Sequence, residues 1–144
     1  MSYLLALGAV PLAGLALALW ARRQWMVVTV EGNSMAPTLR HGQRVIARRL
    51  RGTGYARSDI IVFLLPPEQA EAMASEDLVH RVKRIAAVAG DPVPEWAWEA
   101  LGADAHTRVP PGKVVVSGDN TTRSQDSRQL GYIDARNIIG VVRQ

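Results

Sequence analysis

The stretch Leu78-Val79-His80-Arg81-Val82-Lys83-Arg84-Ile85-Ala86-Ala87-Val88 is the longest strand candidate in the chain. Successive side chains of a strand point to opposite faces, so Lys83 and Arg84 are expected on opposite sides of it. Apolar runs bounded by turn residues predict further strands at 26–30, 43–49, 59–65, 113–116 and 138–142. Residues 68–77 are interpreted as a helical turn or a loop, and 92–111 as an excursion with a short helix. The pattern as a whole predicts a mainly β, barrel-like domain.

The composition limits the class of protein. A chain of 144 residues is one domain, or one domain with an anchor. Its formal net charge is +4, but the arginines are scattered and few aromatic residues lie among them, so no nucleic-acid partner is expected. The chain has no cysteine, which excludes disulfides, thiolate metal sites and a cysteine nucleophile. His41, His80 and His106 lack the spacing of metal ligands, so no metal is expected.

Residues 3–20 form an uncharged, largely apolar segment at the N-terminus. As a helix the segment is about 27 Å long, close to the thickness of the hydrocarbon core of a bilayer. Its aromatic ends suit the headgroup level, and the positive residues that normally begin a cleavable signal peptide are absent. We therefore expect residues 1–25 to be an uncleaved, single-pass anchor in contact with membrane lipid, followed by a β-domain over 26–144.

The segment Gly32-Asn33-Ser34-Met35-Ala36-Pro37-Thr38-Leu39 is a short loop that follows the first predicted strand. A serine in such a loop is well placed to be an exposed nucleophile, but it needs a base to remove its proton. The chain has only two lysines, Lys83 and Lys113, against fifteen arginines, and arginine does not deprotonate in proteins. Lys113 adjoins a Pro-Pro-Gly turn, whereas Lys83 lies in an apolar strand. The residues therefore predict a serine–lysine hydrolase with Ser34 as nucleophile and Lys83 as base.

A lysine acts as a base at neutral pH only when its pKa is lowered. The free side chain has a pKa near 10.4, so a useful base requires a pKa of about 8, which costs about 3 kcal/mol against the charged form. Desolvation among Val79, Val82 and Ile85 is the expected cause. This chemistry needs no metal or nucleotide, and no cofactor is expected. A Ser34–His80 pair is the competing scheme, but strand alternation points His80 away from Lys83.

Four blocks in the chain resemble those of bacterial type I signal peptidases, the membrane-anchored serine–lysine proteases of peptidase family S26, and especially their short actinobacterial-type members. The loop 32–39 is similar to the nucleophile box, and residues 57–63 (RSDIIVF) to the strand that follows it. Residues 82–91 (VKRIAAVAGD) resemble the general-base box, and Gly118-Asp119-Asn120 with 124–128 (SQDSR) and Gly131 resembles the last box. The resemblance implies a signal-peptidase-like β-fold behind one transmembrane helix.

The resemblance also implies roles for residues around the dyad. Ser124 is expected to hydrogen-bond and orient the Lys83 amine, and Arg84 to form an ion pair with Asp119. Asp126 and Arg128 are expected to brace the last box. These supporting residues are not expected to take part in the chemistry themselves: Ser124, Arg84, Asp119, Asp126 and Arg128.

The oxyanion of the reaction and the substrate need binding groups as well. The Ser34 backbone N–H is the natural oxyanion donor, with Gly32 at the position where some members of the family carry a serine. By resemblance, Met35, Leu39 and Val82 line a shallow apolar pocket that accepts only small side chains. Such a pocket implies a leader-bearing precursor or exported preprotein as substrate, cleaved after an Ala-x-Ala sequence.

Three questions stay open at the level of sequence. Ala87 and Ala89 stand where the general-base box usually has glycine and proline, which leaves the local backbone geometry undecided. The positive-inside rule and Arg22/Arg23 after the span favour a cytoplasmic catalytic domain, whereas the resemblance implies an extracytoplasmic one. The alternatives to a general signal peptidase are a dedicated maturation protease for one precursor, for example of the nickel superoxide dismutase type, and a catalytically inactive, membrane-tethered binding module.

Overall fold

The computed structural model describes residues 14–50, 53–66, 69 and 80–143, and within them seven strands form one antiparallel sheet. The strands are β1 (Trp25–Thr29), β2 (Arg44–Arg49), β3 (Ile60–Leu64), β4 (His80–Val88), β5 (Lys113–Ser117), β6 (Ile133–Asp134) and β7 (Ile138–Val142). Their order across the sheet is β1-β2-β7-β3-β4-β5-β6, so the last strand in sequence lies in the interior of the sheet. The mainly β prediction is confirmed.

Short helices connect the strands. Residues 14–24 are helical (α1) and lead directly into β1. A 3₁₀ turn (Glu95–Ala97) continues into α2 (Trp98–Leu101), α3 covers Ser127–Leu130, and a second 3₁₀ turn (Ala135–Asn137) precedes β7. The short helix predicted within 92–111 is therefore confirmed.

The five short strands predicted from the sequence are confirmed, with ends that differ by at most one residue. The long strand predicted at 78–88 is observed from residue 80, and residues 78–79 lie outside the described residues. The helical turn or loop predicted at 68–77 also lies outside them, apart from residue 69. The sequence reading did not include β6 or α3, because both are too short to show a periodicity.

β3 is the centre of the core because its side chains are buried on both faces. Ile60 and Val62 pack into one cluster, which includes Met35 of the predicted nucleophile loop. Ile61 and Phe63 point to the other face and pack into a second cluster, to which β4 contributes Ile85. The two clusters thereby hold the loop after β1 and strand β4 against the same central strand.

The predicted membrane anchor is only partly covered by the structure. Residues 1–13 lie outside the described residues. Within the part that is described, none of the helices combines the length and the apolarity needed to cross a membrane. The described end of the predicted anchor is α1, where Leu15, Leu17, Leu19 and Trp20 are exposed.

Candidate active site

Ser34 lies in the turn that follows β1, and the apolar residues around it fix this turn to the core. Met35 and Leu39 are 1% and 5% exposed, and the Leu39 N–H donates to the Met35 carbonyl at 2.9 Å. Gly32 has a φ of +75°, a left-handed conformation that glycine adopts without strain. Ser34 itself is half-buried between these anchors, so its hydroxyl is positioned by the backbone on both sides.

A second turn, residues 118–120, holds the Ser34 loop from the other side. The Asn120 N–H donates to the Ser34 carbonyl at 3.0 Å, and the Asn120 side-chain amide donates to the Asn33 carbonyl at 3.1 Å. Gly118 allows this close approach, because a Cβ atom there would lie 2.6 Å from the Ser34 carbonyl oxygen and would clash with the Ser124 side chain. The glycine is needed here for space rather than for its backbone angles.

Lys83 reaches Ser34 from β4, across 49 positions of sequence. Lys83 and Ile85 lie on the buried face of the strand, and only 3% of Lys83 is exposed. Its Nζ donates a hydrogen bond to Ser34 Oγ at 2.6 Å. The predicted pair of nucleophile and amine therefore lies within direct proton-transfer distance.

The surroundings of Lys83 lower its pKa to about 8. Burial is the main cause, and the positive charge of Arg81 acts in the same direction, whereas the negative charge of Asp126 opposes them. A substantial fraction of the amine is thus neutral just above neutral pH. The direction and cause agree with the sequence-based expectation, although Arg81 was not part of it.

Arg84 points away from the dyad and forms the expected ion pair with Asp119. Its Nε and Nη2 donate to the two carboxylate oxygens at 2.9 and 2.7 Å, a bidentate geometry, and Nη1 donates to the Ser58 carbonyl at 2.9 Å. The hydrogen bonds from Arg84 lower the pKa of Asp119, although partial burial opposes this. The pair joins the residue next to Lys83 to the turn that holds Ser34.

Asp126 and Arg128 brace the last segment, as expected. The fully buried Asp126 accepts from the Gly118 N–H at 3.1 Å and caps α3 through the Arg128 N–H, in a capping box completed by Gln129. The Arg128 side chain donates to both Asp126 oxygens at 2.9 and 2.8 Å and to the Thr121 carbonyl at 3.0 Å. Burial disfavours the Asp126 charge, but the hydrogen bonds from Arg128 and Gly118 prevail and keep its pKa low.

The expected hydrogen bond from Ser124 to Lys83 is not formed. Ser124 Oγ is buried and makes no hydrogen bond to any residue that the structure describes. Its side chain packs at Gly118, and the amine of Lys83 is directed instead to Ser34. Ser124 is therefore beside the site as predicted, but its hydroxyl does not orient the lysine in this state.

The Gly32 backbone does not offer the second oxyanion donor that the sequence suggested. Its N–H donates to Nδ1 of His41 at 3.0 Å and is therefore already engaged. This partner could not be foreseen, because it depends on the turn that brings residues 41–42 back to β1, where the Gly42 N–H donates to the Val30 carbonyl.

A cleft of about 270 Å³ adjoins the dyad. Its walls are β1 with the start of the nucleophile loop on one side and the segment His80–Lys83 of β4 on the other. Met35 and Val82 line the cleft as predicted, but Leu39 does not; it is buried in the core and lines a separate groove between α1 and β2. Leu39 was misplaced because its side chain packs in the same core cluster as Met35 but does not reach the cleft.

Both walls of the cleft present strand edges. Among the described strands, β1 pairs only with β2, and β4 pairs with β5 from Arg84 onward, which leaves one side of His80–Lys83 without a neighbouring strand. An extended peptide can form main-chain hydrogen bonds with such edges. The role of β1 was missed at the level of sequence, although its place directly before the serine loop was a usable signal.

The chain is similar to known proteins over most of its length. The chain matches the model of the family described as "Signal peptidase, peptidase S26" over residues 3–97 and 95–144. It is 32% identical to signal peptidase I of Bacillus licheniformis over 77% of this chain and 70% of that protein, and 34% identical to signal peptidase I of Bacillus caldolyticus over 78% and 74%. It is also 33% identical to a probable thylakoidal processing peptidase of Arabidopsis thaliana, over 78% of this chain and 35% of that protein.

Proposed function

Because this chain belongs to the signal peptidase family, peptidase S26, and is a peptidase, we propose that it is a serine endopeptidase that uses Ser34 and Lys83 to remove N-terminal signal or leader peptides. The observation that carries the proposal is the 2.6 Å contact between Lys83 Nζ and Ser34 Oγ, with the amine buried and its pKa lowered to about 8. A solvated surface lysine would have neither the burial nor the lowered pKa.

The proposed reaction follows from this contact. Neutral Lys83 takes the Ser34 proton while Oγ attacks the scissile carbonyl carbon, and the tetrahedral oxyanion is stabilised by the Ser34 N–H. The lysine ammonium then gives the proton to the leaving amine, the C–N bond breaks, and an acyl-enzyme remains. Lys83, neutral again, takes a proton from water as the water oxygen attacks the ester carbonyl. When the second tetrahedral intermediate collapses, the Lys83 ammonium returns this proton to Ser34 Oγ, which releases the acid and regenerates the Ser34 hydroxyl and the neutral amine.

The cleft supports a small-residue specificity of the Ala-x-Ala type. Its volume of about 270 Å³ lies below the range typical of sites for drug-sized molecules, and Met35 and Val82 provide apolar walls beside the nucleophile. An extended peptide lying between β1 and His80–Lys83 would place alternate side chains towards these walls. We therefore propose that the position beside Met35 and Val82 accepts small side chains such as alanine.

We further propose that residues 1–25 attach the protein to the membrane. Exposed leucines on α1 and the exposed pair Val27 and Ile46 on neighbouring strands support an apolar contact beside the helix. The groove between them is lined by arginines at 22, 44, 49 and 143, which suit anionic headgroups. These features suit attachment from either side of the membrane. The side has to be determined by locating the catalytic domain experimentally.

The experiment that tests the activity is cleavage of an Ala-x-Ala preprotein by the full chain in detergent micelles, with the product identified by its new N-terminus. Wild type is expected to cut at the predicted bond, and Ser34→Ala and Lys83→Ala to be inactive. Lys113→Ala is the matched control, because the second lysine lies on β5 in an ion pair with Asp134 and should not affect activity. Retained activity in either dyad variant would refute the mechanism.

A second candidate is the dedicated maturation protease, favoured by Arg22 and Arg23 at the end of α1. Mapping the C-terminus with reporters that are active on only one side of the membrane separates the two: a cytoplasmic domain supports the dedicated enzyme, and an extracytoplasmic one the general signal peptidase. If the protein is instead an inactive binding module, the Ser34→Ala variant should replace wild type fully in cells that lack the protein.

A further inference from the structure

His41 binds the main chain just before the nucleophile, and the reaction described above gives it no part. It lies in the turn 40–43, where the Gln43 N–H donates to the Arg40 carbonyl and the Arg40 N–H donates to the Gln43 side chain, both at 3.0 Å. Gly42 has a φ of +79° at the third position of this turn, a conformation that suits glycine. The turn therefore fixes the backbone from which the His41 imidazole extends.

The chain that follows β1 alternates between facing this turn and facing away from it. Both main-chain groups of Val30 form hydrogen bonds of 2.8 Å to the backbone of residues 42–43. The Gly32 N–H points to the same side, where Nδ1 of His41 accepts it at 3.0 Å. Because the N–H and C=O of a trans peptide unit point in opposite directions, the N–H and the carbonyl of Glu31 both face the other side.

That other side is the edge of β1 that faces the cleft. Glu31 lines the cleft together with Ser34 and Lys83, and the pairing of β1 with β2 lies on the opposite edge. Among the described residues, none forms a hydrogen bond with the main chain of Glu31. An N–H and a carbonyl on the same side of one residue are arranged to exchange a pair of hydrogen bonds with an adjacent strand. Three residues span at most about 11 Å, so a peptide held at Glu31 reaches the Ser34 hydroxyl.

We propose that His41 is a positioning residue, whose imidazole holds the Glu31–Gly32 peptide unit so that the Glu31 carbonyl faces the cleft and accepts a hydrogen bond from a main-chain N–H of the substrate. This role rests on the proposed peptidase function and assigns one main-chain contact of its substrate. Glycine at position 32 gives the restraint its importance, because glycine adopts many backbone conformations and the segment is exposed. Nδ1 accepts only when the neutral imidazole carries its proton on Nε2, so the contact also defines the tautomer.

The reach of the acceptor decides which substitutions test this role. In His41→Asn the side-chain oxygen is separated from Cα by the same number of bonds as Nδ1, so the hydrogen bond to Gly32 is retained. His41→Gln carries its oxygen one bond further out, and His41→Ala carries none. His106→Ala is the matched control, because it removes an exposed histidine from a turn that does not line the cleft.

The test measures kcat and KM at pH 8.5 for Ala-x-Ala peptides in which one backbone N–H at a time, over the four residues before the scissile bond, is replaced by an ester oxygen. In wild type the ester is expected to raise KM about fivefold at one position, because a single hydrogen bond to the substrate is lost. His41→Ala and His41→Gln should raise the KM of the all-amide peptide about fivefold with kcat within about twofold, and the ester should then add less than about twofold. His41→Asn and His106→Ala should retain the wild-type pattern.

Each outcome separates the inference from the proposed function. Equal KM values of amide and ester peptides in wild type at every position, or an unchanged ester effect in His41→Ala, overturn the role of His41 and leave the peptidase intact. A higher kcat in His41→Ala also overturns it, because the released Gly32 N–H would then serve the oxyanion.

If wild type cleaves no peptide, the proposed function fails, and the affinities of the same amide and ester peptides for Ser34→Ala, with and without His41→Ala, decide on His41 alone. If His41→Ala does not fold, the comparison of His41→Asn with His41→Gln decides, since equal ester effects in these two variants overturn the role.

Discussion

The buried amine of Lys83 predicts how activity depends on pH. The lowering of its pKa from 10.5 to about 8 corresponds to about 3 kcal/mol against the charged form. At pH 7 about one molecule in eleven then carries a neutral Lys83, against about one in 3,000 for an unperturbed lysine, a gain in active base of about 300-fold.

The perturbation is therefore pH itself, and the assay is kcat/KM for a short peptide without ionisable side chains, measured in micelles from pH 6 to pH 10. The rate is expected to rise about tenfold per unit below pH 7.5 and to level off above about pH 8.5, because the neutral amine is the active form. Buffer controls and a stable circular dichroism signal across the range exclude unfolding as the cause.

Two results would refute this reasoning. A rate that keeps rising tenfold per unit through pH 10 would mean that Lys83 keeps the pKa of a solvated lysine despite being 3% exposed. A midpoint near 6.5 would indicate a histidine base, and since His80 lies on the same cleft, the Ser34–His80 scheme would replace the dyad.

Three further predictions concern packing and stability. Gly118→Ala should lower kcat at least about 100-fold by displacing the Ser34 carbonyl. Gly140→Ala is the comparison, because its added Cβ is less crowded and meets β1 and β2 at 3.2–3.3 Å; it should lower the melting temperature and leave kcat of the folded enzyme unchanged. The reverse pattern would contradict the role of Gly118. Lys83→Met should raise the free energy of unfolding by about 1–3 kcal/mol at pH 7 in urea titrations, because the pKa of Lys83 is lower in the folded than in the unfolded state. The charged Lys83 destabilises the wild-type fold fully below pH 8, and this destabilisation disappears between pH 8 and 10.5. A difference in stability between variant and wild type that does not shrink over this pH range would contradict the prediction. Asp126→Asn should lower both the melting temperature and the midpoint of the pH–rate profile, because the carboxylate caps α3 and raises the pKa of the lysine; an upward shift of the midpoint would contradict this.

The strands and the contact between Ser34 and Lys83 could be predicted because each depends on a local property of the sequence. β3 is a continuous apolar run that ends before two prolines, and alternation along β4 correctly separated Lys83 from Arg84. The choice of Lys83 as base followed from the scarcity of lysine and from an apolar strand around it. Residue type and strand parity were sufficient for these inferences.

The remaining features depend on which partner the tertiary structure brings to each polar group. Nothing local indicates that His41 accepts the Gly32 N–H, or that the Ser124 hydroxyl lies beside Gly118 without a hydrogen bond to a described residue. The sequence indicated only that Arg81 belongs to a strand. Its effect on the pKa of Lys83 and its place in the cleft between β1 and β4 depend on the tertiary structure. The backbone geometry around Ala87 and Ala89 also could not be predicted from the sequence. Ala87 packs in a third apolar cluster, where the β4–β5 pairing is irregular, and Gly90 makes the following turn with a φ of +88°.

The turn 118–120 explains how two groups 49 positions apart keep a 2.6 Å contact while one of them is destabilised by burial. Asp119 holds Arg84, the neighbour of Lys83, and Asn120 holds the carbonyls on both sides of the Ser34 N–H. Gly118 fastens the same turn to the buried Asp126. Three consecutive residues thus connect β4 beside Lys83, the Ser34 loop and the capped helix by hydrogen bonds. If β4 were not held to the rest of the fold, it could move so that Lys83 becomes exposed to water, which would favour the protonated amine. In this structure such a movement of β4 would also break the bidentate ion pair between Arg84 and Asp119.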